Sequence, residues 1–359
     1  MARKYDPEVV VRIWRNIRRR GLPTAHVGHA AVTVRGSSFL GDDPYISWWP
    51  DWPDDMPEDW RGKFWSVKEV DGFASPNYRI DKLGEIGDRA ASRLELRFQF
   101  ATAYSDMYGV MPGRGPGFTP LQNAQGKQLQ KRYEADPSKM QGATGWGRSA
   151  DAKINIPGTW NHHRGIAWGL ATNEIAVWWN QAKSKLRYRM ISRTQNCASV
   201  ALRALYAGGA RAYVPAPRVV AFTEPVQVEA YAEKVKARVH DLNRKTAAMH
   251  TEGLRISRRG QALPVLPVDD TDDLCPTDHW KTTVAGQGAG SLPLTVGDLA
   301  RCHTASDTQN AETRLAALIL LQEHLWTFYQ GNRQSPVLPS VLALASQVRD
   351  VLNNDMVFA

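Results

Sequence analysis

Tyr188-Arg189-Met190-Ile191-Ser192-Arg193-Thr194-Gln195-Asn196-Cys197-Ala198-Ser199-Val200-Ala201-Leu202 passes from an irregular polar stretch into an apolar helical pattern. The passage places Cys197 at or next to a helix N-terminus. Backbone N–H groups without intrahelical partners and the helix dipole favour an anion there, so a thiolate is stabilised. Gly208-Gly209 closes the pattern with a C-cap signal. Cys197 is therefore a nucleophile candidate; the plain alternative is a cysteine buried as packing.

Working outward, a short strand is expected over residues 186–191, preceded by a helix from Thr172 to Lys185. Thr172 can cap that helix, and Ile175, Trp178 and Trp179 share one face. Farther upstream, His26-Val27-Gly28-His29-Ala30-Ala31-Val32-Thr33-Val34-Arg35-Gly36 and Tyr45-Ile46-Ser47-Trp48-Trp49-Pro50 read as two strands joined by a Gly/Ser turn. A histidine at the mouth of the first strand can reach a cysteine at a helix start if the helix packs on that sheet. His29 is placed to do so. His26 falls on the opposite face and reads as structural.

The rest of the chain is read more coarsely. Residues 7–20, with Asp6 before Pro7 and basic residues at the far end, read as a helix, so that 1–22 form an N-terminal helical unit. Two short extended pieces are expected around Phe64–Val67 and Asn77–Ile80, and a helix over Arg89–Tyr108. Residues 111–160, rich in Gly, Pro and Gln, read as a long insertion. Helices follow over Glu224–Lys245, Ala311–Tyr329 and Val337–Leu352, with 256–292 mostly loop. The division is a core at 23–222 and a mainly helical region at 223–359, in an α+β fold.

Bulk properties narrow the function. No apolar run approaches the ~18 residues of a membrane span, and the first residues lack a signal peptide's apolar core. The three cysteines are too few and scattered for a disulfide framework, so a reducing compartment is expected. The net charge of +9 comes from dispersed basic residues without a recognition motif, which argues against direct nucleic-acid binding. The Arg15, Arg18, Arg19, Arg20 cluster suits a surface helix end, or an anionic membrane surface. Cys275 with His279 and Cys302 with His303 make a poor zinc chelate. Gly286-Gln287-Gly288-Ala289-Gly290 lacks the strand and the Lys-Ser/Thr of a phosphate loop. His162-His163 reads as surface. Trp48, Trp49, Trp52, Trp60 and Trp65 read as core under a loop, or as an apolar wall for an acyl chain.

Gly28-His29-Ala30-Ala31-Val32-Thr33-Val34 and Tyr45-Ile46-Ser47-Trp48-Trp49-Pro50, followed after a long gap by Asn196-Cys197-Ala198-Ser199-Val200-Ala201, resemble the circularly permuted papain-like proteins of the lecithin retinol acyltransferase class. They are closer still to a bacterial branch of effectors and toxin domains similar to Rho-inactivating lysine fatty acyltransferases. The resemblance covers residues 24–82 and 170–210. It implies a permuted papain-like core, a small antiparallel sheet plus a nucleophile helix, with a Cys-His pair. The third residue departs from pattern: where the retinol acyltransferase group has a second histidine, this chain offers Ser47. The effector branch uses an aspartate, for which Asp81 is the choice and Asp71 the second.

The chemistry so implied is acyl transfer or hydrolysis through an acyl-enzyme. Cys197 attacks an acyl carbonyl, His29 holds and returns the proton, Asp81 fixes the ring tautomer, and backbone N–H groups at the helix start, including that of Cys197, bind the oxyanion. No tightly bound cofactor is expected; acyl-CoA is a candidate co-substrate. The expected partners are a target protein, an anionic membrane surface and a secretion chaperone. The expected itinerary is the bacterial cytoplasm, then secretion without a cleaved signal peptide into a host or rival cell. The competing readings are a peptidase or amidase with the same Cys-His pair, and a non-catalytic binding protein in which Cys197 is structural.

Overall fold

The computed structural model describes residues 7–15, 28–36, 43–51, 69–75, 150–159, 168–189, 191–258 and 311–353. Strand β1, Glu8–Trp14, is an inner strand of the larger sheet. It pairs antiparallel with β2, His29–Arg35, on one side and with β6, Ala152–Pro157, on the other. The short β3, Tyr45–Ile46, extends β2, giving a four-stranded sheet in the order β3-β2-β1-β6. A second, three-stranded sheet holds β4, Trp48–Asp51, β5, Val70–Ala74, and β7, Arg187–Tyr188, in the order β4-β5-β7. Ser47 is the single residue between β3 and β4 and so joins the two sheets.

The segment expected to be a helix at 7–20 is a strand where it is described. Val9-Val10-Val11 are β-branched and favour the pleated backbone. Every residue from Val9 to Trp14 is buried, as a strand covered on both faces requires; a one-sided surface helix would expose part of its circumference. The proposed 1–22 helical unit is thereby corrected. The 111–160 insertion is corrected at its far end: Ala152-Lys153-Ile154-Asn155-Ile156 alternates, buries Ile154 and Ile156, and forms an edge of the main sheet.

Register places Val9, Val11 and Ile13 beside Val34, Val32 and Ala30, and beside Ile156, Ile154 and Ala152. This face receives the helices. Helix α1 is Thr172–Ala182, α2 is Cys197–Ala207, α3 is Ala210–Tyr213 and α4 is Pro225–Arg258. Two more, α5 at Ala311–Gly331 and α6 at Leu338–Asn353, pack against α4. Thr172 does not cap α1: the cap position is Ala171, and no side chain closes it. Helix α2 lies on β2, inserting Ala198, Val200, Ala201, Ala204 and Leu205 into the core. Fully burying each of its larger aliphatic side chains contributes about 1.5–3 kcal/mol.

Helix α4 is clamped to the core through 168–170. Trp168 N–H donates to Asn243 Oδ1 at 3.0 Å, Asn243 donates back to Trp168 O at 2.8 Å, and Trp168 Nε1 donates to Thr246 Oγ1 at 2.8 Å. Tyr213 Oη donates to Gly169 O at 2.7 Å, and burial pushes the Tyr213 phenol far above its ordinary value. Between α4 and α5, Lys245 Nζ lies 2.6 Å from Glu323 and 2.7 Å from Asp241, and Arg238 also reaches Glu323 at 2.6 Å. No helix among the described residues is long and apolar enough to cross a membrane.

Candidate functional site

Cys197 is the first residue of α2, and Asn196 is its N-cap. Asn196 Oδ1 accepts from Ser199 N at 2.8 Å, which satisfies one of the open N–H groups of the first turn. Its amide donates to Thr223 O at 2.9 Å and to Ser192 O at 3.2 Å. One buried side chain thus ties the helix start to the 191–195 turn and to the segment that leads into α4.

His29 opens β2 immediately after Gly28, whose φ of 79° is the left-handed conformation that glycine adopts without strain. The sharp entry sets the imidazole at the strand mouth, where it is fully buried. The indole of Trp49 stacks on it at 4.0 Å between centroids and 22° between planes, and Trp14 lies tilted at 5.5 Å. Nε2 is 2.9 Å from Ser47 Oγ, and Trp49 Nε1 donates to the same oxygen at 2.8 Å.

The structure brings His29 and Cys197 together. Burial alone pushes the Cys197 thiol up. The charge of the His29 imidazolium, a hydrogen bond from its ring, and backbone N–H groups of Ala30 and Ala198 outweigh that, and the thiol lies below its ordinary value. Nε2 of the ring is engaged by Ser47. Asn196 occupies the Ser199 N–H, and Cys197 lies within the same first turn, where helix N–H groups lack intrahelical acceptors.

Asp81 lies outside the described residues, as do His26, His162, His163, Cys275, Cys302, Trp52, Trp60 and Trp65. Asp71 sits on β5, exposed, and pairs with Arg187 on β7, so it is not the partner of His29. Trp48 is buried, edge-on to Trp179, with its indole donating to Arg187 O at 3.3 Å, and acts as core. Ser47 touches the imidazole directly. Its signal in the sequence is a small hydroxyl residue inside the apolar run Tyr45-Ile46-Ser47-Trp48-Trp49.

Fold and site define a mixed α and β protein with small antiparallel sheets, a packed helical layer and a buried cysteine and histidine brought together. A family model described as the IcsB middle domain matches residues 3–255, which contain the whole site, and the chain belongs to that family. It is similar to effector protein BopA of Burkholderia mallei (strain NCTC 10247), 30% identical over 317 residues that make up 82% of this chain and 54% of the relative. It is also similar to effector protein BopA of Burkholderia pseudomallei (strain 668), 32% identical over 317 residues with the same coverage. The chain thus spans about half the length of these relatives. No solved structure matches it.

Proposed function

We propose that this chain is the catalytic part of a bacterial effector: a cysteine acyltransferase with a permuted papain-like core that modifies a target protein. The observation that carries the reading is the buried Cys197 thiol held below its ordinary pKa by His29 at a helix N-terminus. The BopA relatives, named as effector proteins, support the effector role and a protein target.

The reaction balances with the residues present. The Cys197 thiolate attacks the carbonyl carbon of an acyl thioester such as acyl-CoA, while the N–H of Cys197 receives the oxyanion. The donor's C–S bond breaks, and the departing thiolate takes the proton from His29. A lysine amine of the target then attacks the Cys197 thioester, loses a proton to His29 and releases the enzyme thiol. Apolar side chains on the segments tied to the α2 N-cap suit an acyl chain. Ile191, Val220, Phe222 and Val226 are exposed on two segments joined by Thr223 N to Ser192 O at 3.2 Å, next to the Asn196 clamp.

Intact-mass analysis after incubation with long-chain acyl-CoA tests the reading. An acyl adduct on wild-type protein, absent from Cys197→Ala and His29→Ala variants that keep wild-type circular dichroism, supports it. A reactive Cys197 that takes no acyl group and cleaves peptides would assign the same pair to a peptidase or amidase. A thiol that alkylates only above its ordinary pKa would leave a binding protein with a structural cysteine.

A further inference from the structure

We infer that Ser47 is the positioning residue for His29: its hydroxyl, held by the Trp49 indole, keeps the imidazole turned so that Nδ1 meets the Cys197 thiol. The inference rests on the Cys-His reading above.

Two kinds of contact act on the ring. Trp49, stacked at 4.0 Å, and Trp14, tilted at 5.5 Å, set its plane. They do not set its direction within that plane. A half-turn about the Cβ–Cγ bond keeps the ring in the same slot while exchanging Nδ1 with a carbon and Nε2 with a carbon, and stacking is nearly indifferent to the exchange. A polar partner at the ring edge is not. Ser47 Oγ, 2.9 Å from Nε2, makes the flipped ring lose a buried hydrogen bond.

The proton inventory specifies the tautomer as well. An indole N–H only donates, so Trp49 occupies one of the two lone pairs of Ser47 Oγ at 2.8 Å. One lone pair and one proton remain on the hydroxyl. While the thiol keeps its proton, Nδ1 must be bare to receive it, so the ring proton sits on Nε2 and is donated to the remaining lone pair. After transfer both nitrogens carry protons and the Nε2–H bond to Ser47 persists. One contact therefore serves both protonation states without movement of the ring.

Ser47 is itself immobilised. It is buried, it is the one residue between β3 and β4, and its carbonyl accepts from Ser75 N at 3.0 Å. The hydroxyl carries no charge, so its contribution is direction and tautomer, and the thiolate's electrostatic support comes from the imidazolium and the helix start.

The test is the rate of iodoacetamide alkylation of Cys197 against pH in the whole chain. Ser47→Ala should slow alkylation near neutral pH roughly fivefold, the Boltzmann factor of one ordinary hydrogen bond, and move the midpoint upward. Ser47→Thr, which restores the hydroxyl, should return the rate to within about twofold. Trp49→Phe keeps the stack but removes the indole N–H, and should slow the reaction by about two- to threefold. If Ser47→Ala does not fold, Trp49→Phe carries the test, and a wild-type profile for it overturns the inference. A folded Ser47→Ala variant with the wild-type profile overturns it too, while a depressed wild-type midpoint leaves the Cys-His pair standing. A wild-type midpoint at or above the ordinary ~8.5 overturns the pair itself.

Discussion

Asn196 is a single side chain on which both the fold and the surroundings of Cys197 depend, and its replacement separates the two. In Asn196→Ala the cap on Ser199 N and the ties to Thr223 O and Ser192 O are lost together. An N-cap contributes about 1 kcal/mol and each further hydrogen bond about 0.5–1.5 kcal/mol, so the loss is about 2–4 kcal/mol. With an unfolding entropy of ~2.1 cal/mol/K per residue, a chain of this size melts about 3–5 °C lower. Asn196→Asp keeps an acceptor for Ser199 N but turns carboxylate oxygens toward two carbonyls and adds a negative charge beside the thiol. It should destabilise despite the intact cap and raise the alkylation midpoint of Cys197 above that of the alanine variant. Differential scanning fluorimetry and pH-dependent alkylation read both effects. A melting temperature within about 1 °C of wild type for Asn196→Ala, or a wild-type midpoint for Asn196→Asp, would refute the reasoning.

Three further outcomes follow from the packing. In Gly169→Ala the new Cβ meets the backbone of Gly158 and lies 2.5 Å from Pro157 O; a cost of about 3 kcal/mol or more is expected in thermal unfolding, and an unchanged melting temperature would count against the close approach. Burial pushes the Asp241 carboxyl up, but hydrogen bonds from Lys245 and Arg244 and their charges outweigh it and hold the group below the ordinary carboxylate range. That stability is present above the unfolded pKa and is lost as pH falls through the folded one, so Lys245→Met should raise the midpoint of acid unfolding. His250 is held below the ordinary histidine value by burial and by Arg349, whose Nη1 lies 2.6 Å from Nδ1, against an opposing effect of Asp350. The unfolded ring then binds the proton first, stability declines as pH drops below ~6.5, and His250→Gln should flatten that slope.

Helix α2 was legible because capping is local: Asn196, then Cys197, then an apolar period, with Gly208-Gly209 at the far end, are all sequence neighbours. His29 was legible for the same reason, as the mouth of a β-branched run. Strand β1 was not. Val9-Val10-Val11-Arg12-Ile13-Trp14 is a short apolar run whose period does not separate a buried strand from a helix, and the Asp6-Pro7 start and basic tail tipped the reading to a helix. Arg12 lies buried in that strand with its guanidinium on Thr33, a pairing that only sheet register creates. Ser47 was seen only as a departure from a motif. Its importance comes from a ring 18 residues away and from Trp49, and neither contact has a signature in spacing.

Because His29, Ser47 and Cys197 come from β2, the inter-sheet link and α2, the acidity of Cys197 depends on the assembled core. A denatured or partly assembled chain carries an ordinary, sluggish thiol. Reactivity of Cys197 toward a mild electrophile should therefore report folding, readable without any substrate.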